Sequence, residues 1–324
     1  MAKRQAVIDL GGTKITSAIL TNNSIMAKDY RLTLAHDGVS QVISRIIMSI
    51  DKLLKETDLN ISQLESICIA SAGIIDMAKG IVTVSPNLPG WHNIPLSSQI
   101  WEHFRVETYL INDASAAALG EYTFGAGKNN KNVIYITVGT GIGGGIIING
   151  DLYLGSSGSA GEIGHMSIRE DGPLCYCGNR GCLETLASGT AIARETIKLI
   201  KEGRKTTLNK MVDNKIQSIT AKEVSKAAQE GDALAKKVVY KAANYLGIGI
   251  ASVINIFNPD IIIIGGSVSK MGGLLFEPVK QQVFKQAFRL PAQIADIKPS
   301  KLGDDVSLIG AALFAQSRYR KTGN

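Results

Sequence analysis

Three cysteines and a histidine lie close together in the middle of the sequence. His165 is followed by Cys175, Cys177 and Cys182, a spacing written H-x9-C-x-C-x4-C. Three thiolates and one imidazole are a common tetrahedral ligand set for structural zinc, and such a set leaves no position open for catalysis. Three free cysteines in a turn are the alternative. The pattern predicts a structural Zn²⁺ site, whereas Cys68 lies in an apolar run typical of a buried side chain.

A glycine pair near the start of the sequence is flanked by polar side chains, in the segment Asp9-Leu10-Gly11-Gly12-Thr13-Lys14. Paired glycines in a turn expose backbone N–H groups, which can surround phosphate oxygens. Thr13 adds a hydroxyl, Lys14 adds a cation, and Asp9 adds a carboxylate able to hold Mg²⁺ through water. An ordinary glycine hairpin is the alternative. The segment predicts one half of a nucleotide phosphate site.

A second glycine-rich segment reads Gly139-Thr140-Gly141-Ile142-Gly143-Gly144-Gly145. It contains G-x-G-x-x-G, which in a dinucleotide-binding site is followed by a helix. Residues 146–150, Ile-Ile-Ile-Asn-Gly, instead have the pattern of a strand and a turn. The sequence has no G-x-x-x-x-G-K-[ST] motif, so phosphate contacts must come from turns such as these. The segment therefore predicts a second phosphate-binding turn.

Four further side chains suit a reaction at a sugar hydroxyl. Asp113, at the end of a short strand, is either a helix N-cap or a general base that takes the proton of the attacking hydroxyl during phosphoryl transfer. Asn112 is expected to hold another hydroxyl. Glu162 and Glu184 flank the zinc set, and carboxylates accept hydrogen bonds from neighbouring hydroxyls, although either residue alone is typical of a surface charge. If zinc takes one nitrogen of His165, the other can bind a hydroxyl of the substrate.

The elements that position these residues recur in two units, each a strand, a glycine turn and a second strand followed by α/β material. This repetition predicts two related α/β lobes with a cleft between them, and a boundary near Asn112. A capping box, Thr220-Ala221-Lys222-Glu223, marks one helix start. The pattern predicts strands at 6–8, 16–20, 67–70, 108–111, 133–138, 145–148 and 261–264, and helices at 39–54, 114–122, 183–200, 233–257 and 308–315.

Composition narrows the classes of function. The 324 residues are 45% hydrophobic and 19% charged, as in a folded globular enzyme. The net charge of +7 suits an anionic nucleotide substrate, but the basic residues are spread along the chain, so no nucleic-acid partner is expected. Two uncharged 18-residue stretches, Val133–Gly150 and Ala242–Pro259, contain too many glycines and polar residues for membrane spans. Without a secretory segment at the start, we expect a cytoplasmic protein.

Four segments together resemble the ROK family of sugar kinases and sugar-responsive repressors. The resemblance covers nearly the whole chain, and its cysteine segment is highly specific to the family. It implies an α/β, actin-like (ribonuclease H-like) two-lobed fold with ATP and sugar in a central cleft. The small lobe would comprise residues 1–112 and a C-terminal helix at about 308–324, and the large lobe residues 113–307 with the zinc segment 165–182. The four segments are Asp9–Lys14, Gly139–Gly145, Gly161-Glu-Ile-Gly-His165 and Cys175-Tyr-Cys-Gly-Asn-Arg-Gly-Cys-Leu-Glu184.

The resemblance also implies roles for single residues. Asp113 would be the base, the glycine turns would bind ATP, and Gly265-Gly266 would lie on the adenosine side. Asn87, in Ser85-Pro-Asn-Leu-Pro-Gly-Trp91, would belong to a sugar-facing loop. Tyr176 stands where the family often has a small residue, and it is not a zinc ligand. The implied sugar contacts are Asn87, Asn112, Asp113, Glu162, His165 and Glu184.

The implied activity is Mg²⁺-ATP-dependent phosphorylation of a hexose at its 6-hydroxyl, with glucose as the first choice. N-acetylmannosamine, N-acetylglucosamine and fructose are the alternative substrates, because the wall that would discriminate at C2 cannot be read from the sequence. A sugar-sensing repressor would carry a DNA-binding domain ahead of the kinase-like part, and the phosphate hairpin beginning at Asp9 leaves no room for one. A homodimer or homotetramer is expected from the family, and polyphosphate is an alternative phosphoryl donor.

Overall fold

The computed structural model describes residues 4–322 as an alternation of strands and α-helices. Among these residues, none of the helices is both long and apolar enough to cross a membrane. The strands are β1 (Arg4–Leu10), β2 (Lys14–Thr21), β3 (Ser24–Leu32), β4 (Ser66–Ser71), β5 (Ile74–Asp76), β6 (Ile81–Val84), β7 (His92–Ile94), β8 (Thr108–Asn112), β9 (Val133–Val138), β10 (Ile142–Ile148), β11 (Asp151–Leu152), β12 (Ile261–Gly265) and β13 (Asp296–Pro299). The helices are α1 (Val39–Glu56), α2 (Leu96–Phe104), α3 (Asp113–Phe124), α4 (Leu183–Ala187), α5 (Gly189–Lys201), α6 (Leu208–Met211), α7 (Ala221–Gln229), α8 (Ala233–Phe257), α9 (Gly273–Gln286), α10 (Arg289–Ile294) and α11 (Val306–Thr322).

The first sheet has the strand order β3-β2-β1-β4-β8. β1 and β2 form an antiparallel hairpin, while β4 lies parallel to β1 and β8 parallel to β4. Leu10 pairs with Ser71, and Ser71 pairs with Asn112, so the three parallel strands end at the same edge. The glycine turn after β1 and the Asn112-Asp113 pair after β8 therefore lie at one edge of this sheet.

The second sheet repeats this topology with the order β11-β10-β9-β12-β13. β9 and β10 form an antiparallel hairpin, β12 lies parallel to β9, and β13 lies parallel to β12. Gly265 pairs with Thr137 near the ends of β12 and β9, which places Gly266 beside the glycine turn that follows β9. The two sheets confirm the predicted repetition of one α/β unit. Because the second glycine turn leads into an antiparallel strand and not a helix, the dinucleotide-binding alternative is excluded.

Helices cover the two sheets through apolar side chains at helical spacing. α1 buries Val42, Ile46, Ile50 and Leu53 against one face of the first sheet, and α11 buries Leu308, Phe314 and three alanines against the opposite face. The long helix α8 lies in the core beside the second sheet, with α7 and α9 packed on it. Each fully buried Leu or Ile side chain contributes about 1.5–3 kcal/mol through the hydrophobic effect.

Helix α3 contacts both halves of the chain. It leaves the end of β8 in the first sheet and packs on β10 of the second, where a Cβ on Gly145 would lie 2.6 Å from the Cβ of Ala118. On its other side α3 packs against α11, where a Cβ on Gly120 would lie 2.7 Å from the carbonyl oxygen of Val306. The small residues of α3, four alanines and Gly120, are required because neighbours approach from two sides. Asp113, its first residue, is thereby held in place by both sheets.

Some boundaries differ from the sequence-based expectation. The single helix predicted at 183–200 is two helices, because the hydroxyl of Ser188 accepts a hydrogen bond from the N–H of Ala191 (3.1 Å) and starts α5. β10 begins at Ile142, so Gly143 belongs to a strand and not to the turn. Of the predicted small lobe, residues 1–3 and 323–324 lie outside the described residues. The elements not predicted are β3, β5, β6, β7, β11, β13, α2, α6, α9 and α10.

Candidate active site

The first glycine turn is held by backbone hydrogen bonds and leaves its polar side chains exposed. Gly11 N–H donates to Lys14 O (3.0 Å), and Gly11 O accepts from Thr33 Oγ1 (2.7 Å). A Cβ on Gly12 would lie 2.5 Å from the carbonyl oxygen of Asn87, so the turn packs directly on the loop of residues 85–91. Thr13 and Lys14 are exposed at the tip. The turn therefore brings the predicted phosphate-binding segment against the predicted sugar-facing loop.

Two carboxylates approach each other beneath this turn. Burial raises the pKa of Asp9 to about 6, and the nearby charge of Asp113 contributes to the rise, whereas a hydrogen bond with Ser307 and the charge of Lys14 oppose it. Burial also raises the pKa of Asp113, although the N–H of Ala114 opposes the shift. Like charges close together disfavour double ionisation, so a cation or a proton between them is stabilised. This pair is suited to Mg²⁺ binding and to proton transfer.

Asn112 and Asp113 have different positions and hydrogen bonds at the start of α3. Asn112 is the N-cap, because its Oδ1 accepts hydrogen bonds from Ala114 N–H (3.0 Å) and Ser115 N–H (3.1 Å). Its Nδ2 donates to Gly73 O (3.2 Å), which leaves one N–H of the amide for a ligand. Asp113 therefore lies one residue inside the helix, and its interpretation as the N-cap is wrong. Only Oδ1 of Asp113 accepts the N–H of Ala114 (2.8 Å), so Oδ2 can take a proton.

The second glycine turn is connected to Glu184. Gly139 N–H donates to Gly141 O (2.9 Å), which closes the turn, and Gly139 O accepts from Gly189 N–H (2.7 Å). Ile142 N–H donates to Glu184 Oε2 (2.9 Å). A side chain on Gly141 would collide with the same carboxylate. One carboxylate oxygen of Glu184 is thus used to hold the turn, and the other is left for a ligand.

Gly265 and Gly266, which the resemblance assigns to the adenosine side, lie next to this turn. Gly265 ends β12, and Gly266 has φ +83°, a left-handed conformation that disfavours other residues. A side chain on Gly266 would collide with the carbonyl oxygen of Val138 at the end of β9. The two predicted nucleotide-binding segments of the second sheet are therefore neighbours. The exposed Thr140 lies at the tip of the turn.

Glu162 and His165 lie close enough to Asp113 and Glu184 for Glu162 to interact electrostatically with both. Partial burial of its carboxylate raises the pKa of Glu162, the charge of His165 opposes the rise, and the charges of Asp113 and Glu184 add to it. Glu162 Oε2 lies 3.8 Å from His165 Nε2, with 42% of the Glu162 side chain exposed. The mutual repulsion shows that the fold places Asp113, Glu162 and Glu184 in one region, although they are far apart in sequence. A group of carboxylates around one imidazole can hold several hydroxyls of a small sugar.

The predicted zinc ligands converge at one point. The ligand atoms of His165, Cys175, Cys177 and Cys182 all lie within 4.8 Å of one another. Cys177 Sγ lies 3.6 Å from Cys182 Sγ, and Cys175 Sγ lies 3.6 Å from His165 Nδ1. Tetrahedral zinc with ordinary bond lengths places two sulfurs about 3.8 Å apart, and a sulfur and a nitrogen about 3.6 Å apart. The donor set and these separations fit zinc.

A tight turn presents the thiols. Cys175 N–H donates to Asn179 O (2.8 Å), and Gly178 N–H donates to Cys175 O (3.0 Å). Gly178 has φ +91° and Gly181 has φ +64°, so both glycines are needed by the backbone. Burial raises the pKa of Cys182 to about 12, whereas the N–H of Asn179 lowers that of Cys177. A divalent cation would stabilise all of these thiolates at neutral pH.

Several residues at the site were not predicted from the sequence. Ser307 contacts Asp9 from α11, and Thr33 holds the first turn. Tyr176 is not a metal ligand, and its sequence position predicts no other role, but its Oη lies 2.8 Å from His165 Nε2. Burial and the charges of Glu184 and Glu162 raise the pKa of this phenol. None of these contacts has a local signal, since each joins segments that are separated in the sequence or oriented by the turn.

The chain belongs to the ROK family, whose model matches residues 5–318. It has the mixed α/β, actin-like two-lobed fold of the ROK sugar kinases. It is 36% identical over 315 residues to a glucokinase of Thermotoga maritima, covering 96% of each chain, and 40% identical to a glucokinase of Halalkalibacterium halodurans, covering 96% of this chain and 94% of that one. It is 34% identical over 311 residues to an N-acetylmannosamine kinase of Yersinia pestis, covering 96% and 97%.

Comparison of the structures gives the same result. A ROK family glucokinase from Streptomyces griseus, solved in complex with glucose and AMPPNP, superposes with a TM-score of 0.86 at 31% identity. The match covers 97% of this chain and 99% of that chain. The agreement of fold and family over nearly the whole length means that both sheets and the intervening helices have counterparts in that enzyme.

Proposed function

We propose that this protein transfers the γ-phosphoryl group of ATP to the 6-hydroxyl of a hexose, with glucose as the preferred substrate. The observation that carries the proposal is the position of Asp113: its half-buried carboxylate lies at the start of α3, in the same region as Glu162 and Glu184. The two glucokinase relatives and the glucose- and AMPPNP-bound neighbour support glucose and ATP as the substrates.

In this mechanism Asp113 is the general base. As the 6-hydroxyl oxygen attacks the γ-phosphorus, its proton passes to Oδ2 of Asp113, the bond to the bridging oxygen breaks, and ADP leaves. Burial raises the pKa of Asp113, which brings its basicity closer to neutral pH and makes proton transfer more favourable. The N–H of Ala114 on Oδ1 fixes the orientation of the carboxylate.

The sugar would be held by the groups around this base. Asn112 would offer its remaining amide N–H, and Glu184 would offer its second oxygen, since Oε2 is occupied by Ile142 N–H. Glu162 and the Nε2 side of His165 would accept or donate to further hydroxyls. Asn87 would contribute from the loop that packs on Gly12. Neighbouring carboxylates suit a polyhydroxylated ligand because each oxygen accepts a separate hydroxyl proton.

The phosphates would be held by the two glycine turns. Gly11, Gly12, Thr13 and Lys14 would contact them from the first sheet, and Gly139, Thr140 and Gly141 from the second. Gly265 and Gly266 would border the adenosine. Gly143 lies within β10, so we assign it a packing role: a Cβ there would lie 3.2 Å from the Cβ of Ala114. Mg²⁺ would be held near Asp9, where it would neutralise charge on the transferring phosphoryl group.

A zinc ion held by His165, Cys175, Cys177 and Cys182 would have a structural role. When bound, it would supply a fixed scaffold for the segment 165–182 and would set the orientation of the imidazole. His165 Nδ1 faces the thiols, so Nε2 would stay directed toward the sugar site. We propose the lobe division given above, 1–112 with 308–324 and 113–307, since each part contains one of the two five-stranded sheets. A dimer or tetramer, the absence of a nucleic-acid partner and cytoplasmic location remain predictions.

A second candidate substrate is an N-acetylated hexosamine, favoured by the N-acetylmannosamine kinase relative. The chemistry at the 6-hydroxyl would be the same, and only the wall near C2 would differ. A sugar-sensing regulator without catalysis is the remaining alternative. Polyphosphate in place of ATP would use the same cationic turn at Lys14.

The decisive experiment is a coupled ADP-release assay on zinc-replete protein. Mg-ATP is supplied with glucose, N-acetylmannosamine, N-acetylglucosamine, mannose or fructose, and kcat/KM is compared. We expect glucose to be preferred. Asp113→Asn should lower kcat by about 10²–10⁴-fold, the usual worth of a general base, while Asp151→Asn, an exposed carboxylate outside the site, should not.

The outcomes of this assay test the substrate, the catalytic activity and the role of Asp113 separately. Preference for an N-acetyl sugar would keep the mechanism and reject glucose. Turnover with none of the five sugars would favour the sensor. A wild-type kcat in folded Asp113→Asn would reject the assignment of the base.

A further inference from the structure

The hydrogen-bonding position on His165 that faces the sugar site is filled by a side chain of the protein itself. Tyr176 Oη lies 2.8 Å from His165 Nε2, and the two rings pack edge to face with centroids 5.1 Å apart. Glu162 Oε2 lies 3.8 Å from the same nitrogen, beyond hydrogen-bond distance. Of the two groups near Nε2, the phenol is therefore the one that is bonded.

The chemistry of the imidazole makes this bond exclusive. Nδ1 points toward the thiols, 3.6 Å from Cys175 Sγ. A nitrogen that binds metal carries no proton, so the ring proton of a neutral His165 is on Nε2. Nε2 then has a single hydrogen to donate. Either the phenol oxygen of Tyr176 or an oxygen of the sugar can accept it at full strength, but not both.

The position of Tyr176 allows it to leave. Its backbone is fixed between Cys175 and Cys177 by the tight turn described above, but 61% of the residue is exposed. A rotation about the side-chain bonds moves the phenol into solvent without disturbing the thiols. Exposed side chains change rotamer on the picosecond to nanosecond timescale, so this exchange does not limit turnover.

We propose that Tyr176 is a displaceable plug: its phenol occupies the sugar-hydroxyl position on His165 in the sugar-free enzyme and must leave when the hexose binds. The inference rests on the proposed function, because it needs His165 Nε2 to face the sugar. Sugar binding is then an exchange of one hydrogen bond for another. The apparent affinity for the hexose is reduced by the fraction of molecules in which the plug is bound. Tyr176 acts through His165, so it is a positioning residue and not a catalytic one.

The test is a gain in sugar affinity. Tyr176→Phe keeps the ring and removes the oxygen, and Tyr176→Ala removes both. A single net hydrogen bond corresponds to about two- to tenfold in an equilibrium. We expect KM for glucose and the dissociation constant of glucose measured by calorimetry without ATP to fall about two- to tenfold in both variants. kcat and KM for ATP should not change. Tyr240→Phe, at an exposed tyrosine of α8, is the matched control and should behave as wild type.

Damage to the zinc segment would have the opposite effect, since a disordered segment raises KM and lowers zinc content. Zinc is therefore quantified in every variant. An unchanged or raised KM for glucose in Tyr176→Phe with full zinc would overturn the plug. If wild-type protein neither binds nor phosphorylates glucose or any of the other four sugars, the proposed function fails, and the plug, which rests on it, fails with it.

Discussion

Glu121 is a buried carboxylate on α3, eight residues after the proposed base, and it tests how firmly this helix is held. Its Oε1 accepts hydrogen bonds from Ser300 Oγ (2.7 Å), Lys301 N–H (2.9 Å) and Leu302 N–H (2.8 Å). Its Oε2 accepts from Ala126 N–H (2.7 Å). The side chain therefore fastens α3 to the segment that leads into α11.

Removing this carboxylate should cost much of the stability of the fold. Glu121→Ala leaves three partly buried backbone N–H groups without an acceptor, and each such group costs up to about 1–3 kcal/mol. The sum is about 3–9 kcal/mol. Water that enters the space left by the side chain can satisfy some of these groups, and larger effects of one substitution are exceptional. We therefore expect the free energy of unfolding to fall by about 3–5 kcal/mol.

Glu121→Gln separates hydrogen bonding from bulk. The amide keeps one oxygen for the three donors of residues 300–302 but turns its NH₂ toward Ala126 N–H. We expect a loss of about 1–3 kcal/mol, the cost of one unsatisfied group.

The assay is urea unfolding followed by circular dichroism, compared through midpoints at equal slope. Glu102→Ala, at an exposed glutamate of α2, is the control and should stay within about 0.5 kcal/mol of wild type. A loss below about 1 kcal/mol in Glu121→Ala, or equal losses in Glu121→Ala and Glu121→Gln, would refute the reasoning.

Three further predictions concern the site. Cys177→Ser should remove bound zinc and lower both thermal stability and glucose affinity, as measured by metal analysis, calorimetry and KM; a normal glucose KM without zinc would contradict the proposed coupling. Since burial raises the pKa of Asp9 to about 6 and also raises that of Asp113, kcat/KM for glucose should fall as the pH drops through about 6, and a flat profile down to about pH 5 would contradict this. The contribution of Asp9 to the free energy of unfolding has the opposite pH dependence from activity. This contribution is present below the ordinary pKa of 3.8 and is lost as the pH rises through about 6. Gly12→Ala should raise KM for ATP and for glucose together, because its Cβ would push the turn away from Asn87; a change in only one KM would show that the two loops are uncoupled.

The local features of this protein could be predicted from the sequence because their causes are local. The spacing of His165 and the three cysteines indicates a shared ligand set, and the structure brings these atoms together. Thr220 and Glu223 form the capping box expected from their spacing. The α1 and α8 helices follow from apolar residues at helical spacing, and α8 ends at Asn258 as expected. In each case the interacting groups lie within one short segment of the chain, at most 17 residues apart for the ligand set, so the pattern itself contains the interaction.

The tertiary structure decided what each polar group does with its hydrogen bonds. The sequence indicates Asn112 and Glu184 as sugar contacts. Only the fold shows that Asn112 caps α3 and that one oxygen of Glu184 accepts a hydrogen bond from Ile142 N–H. The sequence pattern predicts that Gly143 belongs to a turn, whereas in the structure the glycines of β10 form a strand on which α3 packs. Likewise, Tyr176 is an unremarkable residue between two ligands until its phenol is found on His165. A sequence specifies which donors and acceptors exist, whereas their pairing depends on which distant segments the packed helices and sheets bring within 3 Å.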